Sequence, residues 1–394
     1  MKIVDLEILQ CQAGWRQWSF LKIITDEGII GYSDCSESFG SQQGINAVIR
    51  DLKPLVIGQN PMATEKIFWD CYRTLRQSAG GTSQKAIGAI ENALLDIKGK
   101  YLNLPVYELL GGPFRQKIKV YWSHCGTTRA RSWKFIDKNP LLSWQDVSDL
   151  GKEVVKRGYT ALKTNIIFPG SPAEVLMQGF KGDSSGCDQN IAPRILSNIE
   201  TLMGTFREAV GIETDIMLDL NFNFRMEGNI QVAKRLAPFN LTWLEIDTFD
   251  PEALKLIRQK ASMPIASCEN LFTLKGYQPF LIQHAADIVV IDIVWNGVAQ
   301  SKKIAEMAES FDINVAPHSH YSPLGTLMAA HFCMAVPNIR MLELDVDDVA
   351  WADQVVTHPA QVENGYLSVS SRPGWGADID EVFLREIAKE SAVA

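Results

Sequence analysis

The chain has 394 residues, 46% of them hydrophobic and 21% charged, with a formal net charge of −8. That is enough apolar material for two domains, or for one barrel with additions, and the acidic balance argues against nucleic acid as a partner. No apolar run approaches the length of a membrane span, and Asp5 and Glu7 come too early for a signal peptide. The seven cysteines (11, 35, 71, 125, 187, 268 and 333) are scattered without CxxC spacing, so reduced thiols and a cytoplasmic location are expected.

In chain order, KIVDLEILQC, WSFLKIITD and GIIGYSD alternate as β-strands, with Asp26-Glu27-Gly28 as the turn before the third. From Gln43 to Leu104 the period becomes helical. Ala47, Val48, Leu52, Leu55 and Val56 form one apolar face; Ile67, Tyr72 and Leu75 form a second; Ala86, Ile87, Ile90, Ala93, Leu94 and Ile97 form a third. Strands followed by helices make a small α+β domain, closed by Gly111-Gly112-Pro113.

Eight strand-like runs follow: 119–125, 161–166, 215–221, 242–247, 264–270, 287–293, 313–320 and 339–345, most of them separated by amphipathic stretches. Parallel strands with intervening helices close into a βα barrel. A doubly wound sheet competes less well, because no GxGxxG follows an early strand. The expected architecture is α/β: an α+β capping domain over 1–115, a (β/α)8-type barrel over 116–365 whose last helix is open to modification, and a segment 366–394 packing back on the cap. Residues 126–145 and 166–190 exceed ordinary loop lengths and are expected to cover the active site.

Three of these runs end in carboxylates: Asp219 in DIMLDLN, Glu245 in TWLEID and Glu269 in PIASCEN, 26 and 24 residues apart. The rhythm continues to Asp292 and His318, a further 23 and 26 residues on. Strand ends of a parallel barrel converge on one rim. Three acids there raise one another's pKa unless a cation neutralises them, and oxygen ligands favour Mg2+ over Zn2+. The bland alternative is that each acid caps the following helix.

Laid out this way, the chain resembles the enolase superfamily and, within it, the mandelate racemase-like acid-sugar dehydratases. The resemblance rests on GQNPMATEKIFWDCYR, AIGAIENALLDIKGKYLNLPVYELLGG, the three acids, the Asp292 and His318 pair, and the terminal RPGWG. It implies Mg2+ on Asp219, Glu245 and Glu269, an acid substrate chelating it, and cap loops around Trp15–Trp18 and Glu37–Gly40 closing over the mouth. The family often carries Lys-x-Lys on the second barrel strand. Here the match is Lys163-Thr164-Asn165, and Asn221 stands where some relatives have a catalytic His. Glu245 is followed by Ile246-Asp247 instead of the common Glu-x-Pro run, which makes Asp247 the reserve ligand.

Removing a proton α to a carboxylate leaves an enediolate that needs nearby positive charge and a base on the proper face. His318 is the expected base, oriented by Asp292, with His320 its rival. Lys163 is expected to assist at the substrate carboxylate, and Glu343, if protonated, at the enediolate. Asn165, Asn221, His320, Trp15, Arg16 and Trp18 are expected substrate contacts. His124 and Cys125 either line the pocket or pack in the core. Arg16, Arg129 and Arg131 lie in covering segments, within possible reach of a second substrate carboxylate.

One face poor in bases favours dehydration of an aldonate or aldarate to a 2-keto-3-deoxy acid. Cycloisomerisation and racemisation or epimerisation are the enzymatic alternatives, and a barrel that has lost catalysis and serves as a binding protein is the alternative of another class. The expected partner is a small acid sugar, with no nucleic acid and no membrane, in a homo-oligomer.

Overall fold

Period-2 alternation near the N-terminus builds an antiparallel sheet of β1 (Ile3–Ala13), β2 (Arg16–Thr25) and β3 (Ile30–Asp34) in the computed structural model, which describes residues 1–180 and 189–393. A two-residue turn, Gly14-Trp15, joins β1 to β2 across the Ala13–Arg16 pair. Gly14 adopts a φ of +62° there, a conformation that strains residues with a Cβ. The helices α1 (Gln42–Val56), α2 (Thr64–Thr74) and α3 (Gly81–Leu102) and the short α4 (Val106–Leu109) follow.

The buried face of α1 is Ile45, Ile49, Leu52 and Val56. It is not centred on Ala47 and Val48, because the helical period through Leu52 and Val56 runs back to Ile49 and Ile45. Helix α3 is buried along most of its length. One side faces the cap core through Ala86, Ile87, Ile90, Ala93, Leu94 and Ile97. Its polar residues reach the barrel: Asn92 donates to Ile293 O at 3.2 Å and accepts from Val298 N at 2.8 Å.

The barrel opens with β4 (Lys117–Ser123) and β5 (Ala161–Thr164), connected through α5 (Thr127–Ser132) and α6 (Trp144–Lys156). A small antiparallel pair, β6 (Ile167–Phe168) and β7 (Glu174–Val175), precedes α7 (Pro193–Val210). Then come β8 (Asp215–Asp219), α8 (Met226–Leu236), β9 (Trp243–Glu245), α9 (Pro251–Lys260), β10 (Ile265–Ser267) and α10 (Thr273–Ile282). Strand β11 (Ile288–Asp292), α11 (Ile293–Asn296), α12 (Val298–Glu309), β12 (Asn314–His318), α13 (Pro323–Met334) and β13 (Leu342–Asp345) complete the ring. Strands β4, β5 and β8 to β12 pair in parallel order, and β13 returns parallel to β4. The Val315–Ile339 bridge joins β12 to the segment entering β13.

After β13, among the described residues, a short turn at 352–355 and the hairpin β14 (Gln361–Glu363) and β15 (Tyr366–Ser368) stand where an eighth crossover helix would lie. Strand β15 pairs antiparallel with the start of β4, and α14 (Glu381–Val393) packs on β1.

Buried Asp96 on α3 ties this returning segment to the cap. It accepts from Tyr32 N at 2.9 Å, from Trp375 N at 3.0 Å and from Lys100 Nζ at 2.6 Å. Asp96→Ala strands two buried amide donors, while Lys100 keeps Asp378 and the Ile30 carbonyl, so a loss of about 2–4 kcal/mol is expected. Urea unfolding measures it; a loss below about 1 kcal/mol, within the range of an ordinary surface pair, would contradict this account.

Candidate active site

Tyr121, Ala161, Met217, Trp243, Val290, Ala316 and Met341 form part of a closed apolar plug inside the barrel. Two residues further along each strand, the pleat returns the side chain to the same inner face. Those positions are Ser123, Lys163, Asp219, Glu245, Asp292, His318 and Glu343. The polar mouth is therefore the next layer above the apolar core, built by strand parity. Strand β10 breaks the parity: Ala266 lies in the plug, and the acid is Glu269, three residues on. Cys268 takes a φ of +93° between them. His124 and Asn221 are also left-handed, at φ +47° each, so three strand ends at the mouth carry backbone in a sparsely populated region.

A cavity of about 490 Å3 stands over this layer, within the range usual for small-molecule sites. Lys163, Asn165, Asp219, Asn221, Glu269, His318, His320 and Glu343 line it, together with Trp15, Arg16 and residues 37–40 from the cap. From the two long segments, Thr127, Thr128, Arg131 and Ser132 of α5 and Met177 and Phe180 also line it. The rest of the second covering segment, 181–188 with Cys187, lies outside the described residues.

His318 Nδ1 is 2.7 Å from Asp292 Oδ2, and the parallel register pairs the two residues directly. Asp292 also accepts the Trp295 amide at 2.8 Å and the Tyr321 hydroxyl. His318 Nε2, the nitrogen left for chemistry, is 3.9 Å from Glu269 Oε2. Burial alone would lower the His318 pKa, but Glu269, the Asp292 hydrogen bond and Glu343 raise it well above its ordinary value.

Lys163 Nζ contacts Glu245 Oε1 at 3.0 Å and Glu343 Oε1 at 3.2 Å. Burial works against its charge, yet Glu245 and Glu343 hold its pKa well above normal. Burial likewise opposes the charge of Glu343, and Lys163, His318 and His124 outweigh it, keeping that carboxyl well below its usual range. Ionised Glu343 accepts from Ser123 Oγ at 2.5 Å and Ser319 N at 2.7 Å. That leaves it no proton to donate, contrary to the role expected of a protonated Glu343.

Burial and then Glu245 push the Asp219 carboxyl up to about 7. Burial also lifts Glu269 to about 7, with Glu245 adding to the effect. Buried Asp247 stands well above its normal value through burial and then Glu269 and Asp219, and its Oδ2 has no hydrogen-bond partner. Oxygen donors whose ionisation is this unfavourable suit a hard divalent cation. They are not drawn tightly together, however. Among the described residues only His124, His320 and Asp345 bring three such ligand atoms within 4.8 Å of one another. Repelling acids turn instead to separate donors: Glu245 to Lys163 and to Trp243 Nε1 at 2.9 Å, Asp219 to Asn165 at 3.1 Å and Asn221 at 2.8 Å.

The His124–His320–Asp345 group already holds a cation. Arg16 Nη1 lies 2.8 Å from Asp345 Oδ2 and 3.2 Å from His320 Nδ1, so the arginine stands where an ion would bind. Burial lowers the His320 pKa to about 4.

Trp18 does not line the cavity. It is fully buried and packs edge-on against Trp351, because it lies further along β2 than the half-buried turn and falls into the cap–barrel interface. Cys125 is a core residue, whereas neighbouring His124 faces the cavity. Glu245 and Asp292 lie beneath the lining, reaching it through Lys163 and His318.

Residues 146–382 match the family described as enolase C-terminal domain-like, and residues 12–111 match the mandelate racemase / muconate lactonizing enzyme N-terminal domain. The chain belongs to the enolase superfamily. Among its superfamily relatives, D-xylonate dehydratase of Haloferax volcanii is 29% identical over 95% of this chain and 87% of its own. D-gluconate dehydratase of Thermoproteus tenax is 27% identical over 97% and 72%. A solved structure of a candidate L-alanine-DL-glutamate epimerase from Burkholderia xenovorans, bound to magnesium and fumarate, is 40% identical. It covers 100% of both chains with a TM-score of 0.95. These two relatives of the superfamily member are named as dehydratases, and the solved structure as a candidate epimerase.

Sequence reading missed Tyr321, Lys85 and Trp295. Lys85 on α3 pairs with Glu37 and sits 3.6 Å from the Trp295 ring centroid; Trp295 in turn lies 5.7 Å from the His318 ring. Only the Pro317-His318 context hinted at Tyr321, three residues on. A lysine on a cap helix carries no local mark of reaching a barrel.

Proposed function

We propose that the chain is a Mg2+-dependent dehydratase converting a sugar acid, an aldonate or aldarate, to the 2-keto-3-deoxy acid. The observation that carries the reading is the Asp292–His318 pair, whose free Nε2 faces a cavity that also holds an ion-paired, protonated Lys163. Asp219, Glu245 and Glu269 would hold the metal. Bound there, Mg2+ supplies positive charge to the substrate carboxylate as the enediolate develops.

With the Glu269 charge, the largest one raising its pKa, taken up by the metal, a neutral His318 would accept the α-proton at Nε2 while Nδ1–H stays on Asp292, which stabilises the imidazolium. Lys163 donates to a substrate carboxylate oxygen and cannot accept a proton in its ion-paired state. Asn165 and Asn221, both amides, add no base on that side. His318 then returns its proton to the departing 3-hydroxyl, which leaves as water, and the enol ketonises to the 2-keto acid. Acid and base on one imidazole make the elimination syn.

A screen of mono- and diacid sugars with Mg2+ for 2-keto acid formation tests this reading, and at least one member should turn over. Lys163→Ala should slow turnover yet leave α-proton exchange through His318 detectable in deuterated water. Interconversion of C2 epimers at a rate rivalling dehydration would make Lys163 a second base and replace dehydratase with racemase.

A further inference from the structure

We infer that the substrate is a dicarboxylic acid, its carboxylate remote from the acid cluster being held by Arg131. This rests on the acid-sugar reading above and narrows it. Three arginines come from segments expected to cover the mouth, and their surroundings separate them. Arg129 is buried, with Nε on Asp347 at 2.8 Å and Nη1 on Glu153 at 2.8 Å, and it does not line the cavity. Arg16 lines the cavity but is neutralised by Asp345 at 2.8 Å and Asp348 at 2.5 Å. The cavity's lysines are matched too, Lys85 by Glu37, and Lys163 by Glu245 and Glu343.

Arg131 differs. Among the described residues it is the one cation of the cavity lining with no carboxylate partner. Its guanidinium stands over the Phe39 ring at 5.9 Å, with Nη1 3.9 Å from Met177 Sδ. Phe39 from the cap stacks on Phe180 at 4.6 Å, so the cation sits at the rim where cap loop and barrel loop meet. Desolvation lowers its pKa. A planar fork of donors held against soft and aromatic groups, and facing a polar cavity, matches a carboxylate in two-point contact.

The experiment titrates the Mg2+-loaded protein with same-length pairs: succinate and butyrate, glutarate and pentanoate, adipate and hexanoate. It is done for wild type, Arg131→Met and Arg131→Lys, alongside turnover of matched aldarates and aldonates. In wild type, at least one dicarboxylate should bind about 10–100-fold tighter than its monoacid mate, the range of a charge-assisted contact. Arg131→Met should collapse that ratio towards one, and Arg131→Lys should restore part of it. No dicarboxylate preference in wild type, or an equal weakening of both mates in Arg131→Met, overturns the inference. Arg131-dependent dicarboxylate binding without turnover or α-proton exchange leaves the inference standing and removes the dehydratase reading. Turnover that favours aldonates does the reverse.

Discussion

His318→Asn is expected to cut turnover by at least about 10²-fold, the lower end of a general-base contribution, and to abolish substrate α-proton exchange with it. Both readouts fall together because one nitrogen starts the reaction and later protonates the leaving hydroxyl. Asn keeps a polar group of similar reach but cannot take a proton at the required atom. Asp292→Asn should lose as much or less while leaving Mg2+ binding intact, since Asp292 orients His318 and stands apart from the metal acids. His320→Asn is the control. Its Nδ1 is tied to Asp345 beside Arg16, and an imidazole held at about 4 is a weak base. An inactive His320→Asn beside an active His318→Asn would transfer the role to His320.

Removing Mg2+ is expected to abolish turnover and to leave a protein whose stability falls as pH rises from about 4 to about 7. Asp219 and Glu269 stand at about 7 in the fold, against roughly 4 in an unfolded chain. The folded state therefore binds more protons within that window. Their contribution is fully present below about 4 and is lost as pH climbs through about 7. Mg2+ takes only the ionised carboxylates, so its affinity should rise across the same window and level off above it. At 100 times Kd the ion stabilises the fold by about 2.7 kcal/mol. Thermal melts with and without Mg2+ should show a larger gain at pH 8 than at pH 6. Equal gains at both values would mean that these carboxyls do not hold the metal.

Much of the site was legible because barrel strands obey simple parity. Six apolar runs at near-constant spacing, from residue 215 onward, placed Asp219, Glu245, Glu269, Asp292 and His318 at successive strand ends. The eighth run gave Glu343 its position, whereas Lys163 came from the resemblance to the family's Lys-x-Lys on the second strand. Glu269 was reached through the spacing alone; its extra residue, accommodated at Cys268, is invisible to a period-2 reading.

By itself the chain determined the βα barrel, the cap and the order of polar groups around the mouth, because those follow from local periodicity and strand-end spacing. Tertiary structure alone decided which groups are charged and which are free. Trp18 became core, Glu343 was held ionised by Lys163, and Arg16 and Arg129 were neutralised while Arg131 was left facing the cavity among the described residues. Those outcomes depend on burial and on partners hundreds of positions away: Arg16 meets Asp345 across 329 residues, and Arg129 meets Asp347 across 218. Charge interactions act through space, and the distance along a chain does not encode them.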